Sequence, residues 1–260
     1  MTPNTSPNLD GVPGSIDHAI EVFVHGFSFT RSFTHPYLAQ RIGPVWVMRD
    51  GPRTSADVRN EEWIAHGVEP AEVDRVVRKQ ARGRFAVCAI QAVNDPEALM
   101  RESYKALGYR LGHTEPLMIH RLKRIPRPAC PARIERVTTL EMATRLAKQA
   151  GSRQVLPTHL NDPAALIRQY VALIEIEPVG WVRSIVVVNA TWCSNMYVAP
   201  EHRRQGIGRA LLGRMRKDDR ASGANIAVLL ASHVGVKLYA AVGYEQIATL
   251  FLWTPLKRGK

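Results

Sequence analysis

From Tyr197 to Arg216 the chain reads Tyr-Val-Ala-Pro-Glu-His-Arg-Arg-Gln-Gly-Ile-Gly-Arg-Ala-Leu-Leu-Gly-Arg-Met-Arg. An apolar strand ends near Pro200, and a helix starts a few residues later on two glycines set among arginines. The first N–H groups of a helix have no carbonyl of their own to pair with, and glycine lets a ligand come close to the main chain. Gly206 and Gly208 permit that approach, while Arg203, Arg204 and Arg209 add positive charge, so the stretch predicts an anion cradle at a strand-to-helix turn. Other phosphate loops fit less well. A Gly-x-Gly-x-x-Gly fingerprint needs a third glycine where Leu211 stands, and a Walker loop needs a Gly-Lys-Ser/Thr that is missing here. The plain alternative is a solvated basic helix start, and the residues downstream weigh against it.

Asn225 to Leu230 form a short apolar run with the pattern of a buried strand. A helix is expected next, capped by Ser232, with Val234, Leu238 and Val242 at helical spacing and Gly243 as its stop. Ile247 to Trp253 then read as a closing strand. Within this segment Ser232 lies seven residues before Tyr239, and the helix ends on the pair Gly243-Tyr244. Arg203-x-x-Gly206-x-Gly208 followed by this pattern resembles, in order and spacing, two motifs of the GCN5-related N-acetyltransferase (GNAT) family. The resemblance covers roughly residues 131–255.

That resemblance implies an α/β fold with an α+β mixed sheet, the acyl-CoA N-acyltransferase fold, and acetyl-CoA as co-substrate with no metal. It gives the main chain of Met196, Tyr197 and Val198 to the pantetheine arm. It gives Arg203, Arg204, Gln205, Gly206, Ile207, Gly208, Arg209 and Ala210 to the pyrophosphate. Ser232 contacts the cofactor or simply caps its helix. Tyr239 protonates the leaving thiolate or packs beneath its helix. Many family members carry a glutamate on the strand before the cradle, but Trp192 to Val198 contain no acid. Glu175, Glu177, His159 and His233 are candidate bases by residue type alone and otherwise read as surface or turn residues. Cys193 beside Ser194, without a placed histidine, is weak support for a covalent route.

Ile125-Pro-Arg-Pro-Ala-Cys-Pro-Ala132 cannot continue a helix or a central strand and is the best linker in the chain. Either side of it, Tyr104-Lys-Ala-Leu-Gly-Tyr109 and Tyr239-Ala-Ala-Val-Gly-Tyr244 repeat one ending. Each follows a helical stretch and precedes a strand-like one, Pro116 to Leu122 and Ile247 to Trp253. Helical spacing from Glu69 to Arg82 and a strand from Arg84 to Ile90 extend the parallel. These repeats predict two tandem copies: residues 15–125 and 133–260, joined by 126–132, behind an unstructured segment 1–14. The first copy has no two-glycine loop and is expected to be degenerate. In the second, the order is strand Ala132 to Val137, helix Leu140 to Ala150 and short helix Pro163 to Gln169. Strands Tyr170 to Ile176, Val179 to Val188 and Trp192 to Val198 follow, with turns near Glu177-Pro178 and Asn189-Ala190.

Composition sets the remaining bounds. The 260 residues carry a formal charge of +12, distributed as +3 over residues 1–130 and +9 over 131–260, so the excess follows the cradle. No run approaches the roughly 20 apolar residues of a membrane span, and the first twenty residues lack a basic start followed by an apolar block. The three cysteines, Cys88, Cys130 and Cys193, are not spaced for a metal site and suit a reducing compartment. The expectation is a cytoplasmic N-acetyltransferase acting on a small-molecule amine, with no membrane partner and an undetermined oligomeric state. The degenerate tandem also resembles the mycothiol synthases, which keeps a thiol-precursor amine among the acceptors. The rival readings are a non-catalytic acyl-CoA sensor and a nucleic-acid binder using the basic helix; the latter lacks any zinc-finger spacing or RNP-type stretch. Trp181, Arg183 and Trp192 read first as packing residues of the meander. The alternative places them at the acceptor site, with Arg183 meeting a substrate carboxylate. Phe27 to Tyr37 interleaves aromatic and polar residues as a half-buried strand would, and its alternative reading is a loop that reaches over the cleft.

Overall fold

The computed structural model describes residues 14–52, 58–162 and 164–256. The first half runs α1 (Ile16–Arg31), β1 (Tyr37–Ile42), β2 (Val45–Asp50), β3 (Glu61–His66), α2 (Pro70–Gln80), β4 (Phe85–Ala92), α3 (Glu97–Ala106) and β5 (Tyr109–His120). The second runs β6 (Arg133–Arg136), α4 (Leu140–Ala150), β7 (Ile167–Ile174), β8 (Glu177–Val187), β9 (Ala190–Val198), α5 (Ile207–Ala221), β10 (Ala227–Leu230), α6 (Val236–Ala241) and β11 (Glu245–Pro255). Both halves share one plan: a three-strand antiparallel meander, a helix, a strand parallel to the last of the meander, a helix and a final strand.

All eleven strands join one sheet, in the order β1-β2-β3-β4-β11-β5-β10-β9-β8-β7-β6. The final strands are exchanged between the halves. β5 pairs with β10 from Ala227↔His120 to Leu230↔Leu117, and β11 pairs with β4 from Ala248↔Ala92 to Trp253↔Val87. The two exchanged strands pair with each other at the centre. Sequence explains why β11 can sit there. Ala248 and Leu250 bury into one face and Phe251 and Trp253 into the other, so the strand is apolar on both sides, as an interior strand must be. Trp253 stacks on Tyr104 of the first half at 5.1 Å between ring centroids.

Helices cover the sheet on both faces. On one face α1 crosses from the first half onto the second, packing against β8, β9 and β10. Its Gly26 lies on Trp192, and Phe23 meets the same indole at 5.3 Å. A side chain at position 26 would collide with that ring. On the other face α5 buries Leu211, Leu212 and Met215 against Val182, Cys193 and Leu229. Asp219, fully buried near the end of α5, accepts hydrogen bonds from Arg168 (2.8 Å), Ser184 (2.7 Å) and Thr191 (3.1 Å), tying the helix to β7, β8 and β9. The linker lies along α5: Arg220 donates to the Lys123 carbonyl, and Pro126 and Ala129 carbonyls approach Gly213 and Gly206.

Several sequence expectations need correction. The short helix from Pro163 to Gln169 is absent. Position 163 lies outside the described residues, Ala164 and Ala165 form a single turn on Asp162, and Ile167 onward is β7 because that run is buried on both faces. The helical turn of this region is instead a 3-10 turn at Pro157–His159. Phe27 to Tyr37 is not a strand: α1 continues to Arg31, since Phe23 and Phe27 stand one helical turn apart on the packed face, and β1 begins only at Tyr37. The meander turns fall at Glu175-Ile176 and Val188-Asn189, where Glu175, Val188 and Asn189 take positive φ. Val234 is 91% exposed and outside α6, whose N-cap is Gly235. Of the segment 1–14, positions 1–13 lie outside the described residues.

Candidate active site

The site begins with a defect in β9. Opposite β8 the register shifts between Trp181↔Tyr197 and Arg183↔Ser194, so that Asn195 and Met196 stand against Val182 alone. This is a β-bulge, with Asn195 at φ 52. A bulge bends its strand, and β9 accordingly parts from β10. The parallel pairing holds only at Ala227↔Thr191 and Val228↔Trp192. Beyond Trp192 the edge of β9 that includes Met196, Tyr197 and Val198 has no strand partner on the β10 side, although the Val198 carbonyl accepts from Arg203 Nε at 2.9 Å. An extended ligand can pair there as an added strand does.

The cradle adjoins this gap. A 3-10 turn at Pro200–His202 leads into Arg204 at φ 65 and Gly206 at φ 82, a left-handed conformation that favours glycine. Gly206 is the N-cap of α5 and carries no side-chain cap, so the N–H groups of Ile207, Gly208 and Arg209 are left for a ligand. Ala210 already bonds back to the Gly206 carbonyl at 3.0 Å. A Cβ on Gly208 would press on Met196 (3.1 Å) and Leu238 (3.2 Å), and one on Gly206 on the Ala129 carbonyl (3.2 Å), so a side chain at either position would need its neighbours to give way. Arg203, Arg204, Gln205 and Arg209 are exposed around the turn. Uncapped amides, a positive dipole end and arginines are what a pyrophosphate requires.

Across the gap stands α6. Ser232 accepts from Gly235 N (3.2 Å) in the turn that enters the helix, so it caps that turn rather than the helix proper. Tyr239 is 9% exposed, edge-on to Tyr244 at 5.7 Å, and burial pushes its phenol well above the ordinary value. It therefore stays protonated at neutral pH. Cys193, on β9, is buried against α5, its thiol pushed up to about 12 by burial, which leaves it inert as a nucleophile.

The opposite face of the gap is the one α1 covers. Trp181, Arg183 and Ser194 point there, in line with Ile185 and Trp192, and Tyr197 stacks on Trp181 at 4.4 Å. Of the four residues considered as bases, Glu175 and Glu177 are exposed at the β7–β8 turn, on the side of β9 away from β10, and His233 is bonded to Thr114 at 2.9 Å. Only His159 reaches this face, held between Phe29 and Phe33. Sequence reasoning passed over Glu115. It lies on β5 two residues beyond Leu117, the partner of Leu230, and so stands just past the end of β10 on the α1 face. Burial pushes its carboxyl up, against the pull of His113 and His233. The only clue to it lay in the other half of the chain.

The first half repeats the plan without the site. β3 and β4 stay paired over six positions, from Glu61↔Phe85 to His66↔Ile90, and no gap opens. The helix that follows starts with Pro70 and carries Glu72 in its first turn, which repels an anion. Among the described residues no His, Cys, Asp and Glu group could hold a metal ion.

A parted parallel pair beside an uncapped, glycine-lined helix start offers an extended, anion-bearing ligand a free strand edge and a cradle. Residues 166–246 match the model of the acetyltransferase (GNAT) domain. The C-terminal half of the chain thus carries an enzyme domain of the GNAT family, which transfers acyl groups from acyl-CoA. No curated protein matches the chain in sequence. Among solved structures, a GCN5-related N-acetyltransferase from Kribbella flavida superposes with a TM-score of 0.67 at 16% identity, over 93% of this chain and 96% of that one. One from Sphaerobacter thermophilus gives 0.54 at 17%, over 81% and 76%. A tandem GNAT protein from the clavulanic acid biosynthesis pathway gives 0.52 at 12%, over 95% and 97%. At these identities the likeness is one of fold.

Proposed function

We propose that the protein moves an acetyl group from acetyl-CoA directly to the primary amine of a small molecule, using its C-terminal half. The observation that carries this is the parting of β9 from β10 beyond Trp192↔Val228, beside the cradle of α5. The amides of Ile207, Gly208 and Arg209 and the exposed arginines bind the pyrophosphate, and the free edge at Met196 to Val198 orients the pantetheine. Acetyl-CoA supplies the activated acyl group. The amine would enter on the α1 face of the gap, where Glu115 accepts its proton. Tyr239, kept protonated by burial, gives a proton to the leaving sulfur from the α6 side. We read residues 15–125 and 133–260 as related units joined by 126–132; their shared element order supports this. The first would serve as scaffold, in a cytoplasmic setting suited to three free cysteines.

Calorimetric titration of acetyl-CoA into the parent and into Arg204→Glu/Arg209→Glu tests the reading. Both arginines are exposed, so the double variant should keep its fold, whereas a side chain on Gly206 would be strained by φ 82 and by Ala129. Micromolar binding that the variant weakens at least tenfold supports the cofactor, and no binding by the parent refutes it. Binding without release of CoA thiol on any amine, with Tyr239→Phe unchanged, would instead identify an acyl-CoA sensor.

A further inference from the structure

Arg183 projects from β8 onto the α1 face, directly across from Ser194 and two residues from Trp181. Among the described residues its guanidinium donates only to Gln154, through Nη1 to the carbonyl (3.3 Å) and Nη2 to Oε1 (3.1 Å). Asn195, the bulged residue, donates to the same Oε1, so one amide links the arginine to the gap. Among the described residues Arg183 forms no ion pair, although Arg168, on the neighbouring strand, meets Asp219 at 2.8 Å. Burial alone pulls its pKa down, to about 10, with no carboxylate to offset it. A buried charge without a counter-charge is costly and is normally paired.

A second observation concerns side chains of the same face on adjacent strands. Arg183 Nε, Trp181 Nε1 and Ser194 Oγ are all buried without a hydrogen-bond partner. The first two can only donate and the third can donate as well. Three buried donors on two adjacent strands, one carried by an uncompensated cation, describe a receptor for a group that only accepts. Gln154 fixes the guanidinium from behind, and the ring stack of Trp181 on Tyr197 holds the indole.

We propose that Arg183, with Trp181 and Ser194, binds a carboxylate of the acceptor, so that the acetylated substrate is an amine that also bears a carboxylate, such as an amino acid. This rests on the acetyltransferase reading for the acceptor's amine. The amine then lies in the gap and the carboxylate one strand away over β8, a separation that suits a compact zwitterion.

Two small probes differ by the carboxylate: N-acetylglycine, which resembles a transfer product, and N-methylacetamide. Each is titrated into the full chain with CoA present, and again without it, following tryptophan fluorescence and heat. N-acetylglycine is expected to bind at least tenfold more tightly than N-methylacetamide. Arg183→Gln is expected to abolish the difference, and Arg183→Lys to keep part of it and to control for misfolding. Equal binding of the two probes, no measurable binding of N-acetylglycine, or discrimination that survives in a folded Arg183→Gln would overturn the proposal. Loss of acetyl-CoA binding in the parent would defeat the acetyltransferase reading instead, while the titration without CoA still decides the carboxylate site.

Discussion

In the proposed reaction Tyr239 and Glu115 act from opposite faces of one gap, Tyr239 as proton donor and Glu115 as acceptor. A buried phenol with its pKa raised is a proton donor at neutral pH, so Tyr239→Phe is expected to lower kcat by about 10²–10⁴-fold while leaving acetyl-CoA affinity unchanged by calorimetry. Glu115 must be ionised to accept a proton. Since burial lifts its carboxyl above 4.5, the rate should climb with pH through that raised value, and Glu115→Gln should lower kcat and remove that limb of the pH–rate profile. Asp219 illustrates the same physics away from the chemistry. Burial lifts its carboxyl from 3.8 to about 6 despite Arg168, Ser184 and Thr191. The folded state therefore holds that proton more tightly than the unfolded chain, and this contribution to stability declines as pH rises from about 4 to 6. Melting temperatures across that range should fall for the parent relative to Asp219→Asn.

Among the elements, α1 and β9 decide the geometry of the site. α1 spans both halves and rests Gly26 on Trp192, the last residue of β9 still paired with β10. Gly26→Ala is expected to cost about 3 kcal/mol through overpacking, read as a lower urea midpoint, and to weaken acetyl-CoA binding if Trp192 shifts. The sequence made the cradle, α4 and the repeated Tyr-x-x-x-Gly-Tyr endings readable, because each rests on local chemistry: glycine at a helix start, Thr139 capping Met142, and a helix stopped by glycine. It concealed what tertiary pairing chooses. Nothing local marks Asn195 as the bulge. Ala164-Ala165-Leu166 looks helical until β8 claims Ile167, and Glu115 belongs to the site only because its strand crosses into the other half.

Across the whole molecule the exchanged strands make the halves interdependent. Residues 131–260 alone would leave β10 without β5 and would expose β11, a strand apolar on both faces. Expressed separately, that half is expected to be insoluble or unable to bind acetyl-CoA, whereas co-expression with residues 14–130 should recover a soluble pair that copurifies. A soluble, cofactor-binding half on its own would contradict the exchange. The parent is expected to unfold in a single transition, because no boundary in the sheet separates one half from the other.

Mutual lending of end strands also bears on descent. If such a chain arose by duplication, neither copy could afterwards be discarded, because loss of the idle one would also take a strand from the working one. On the proposed reading the first copy is held by the strand it lends and by Glu115 at its neighbour's threshold, and is free to drift elsewhere.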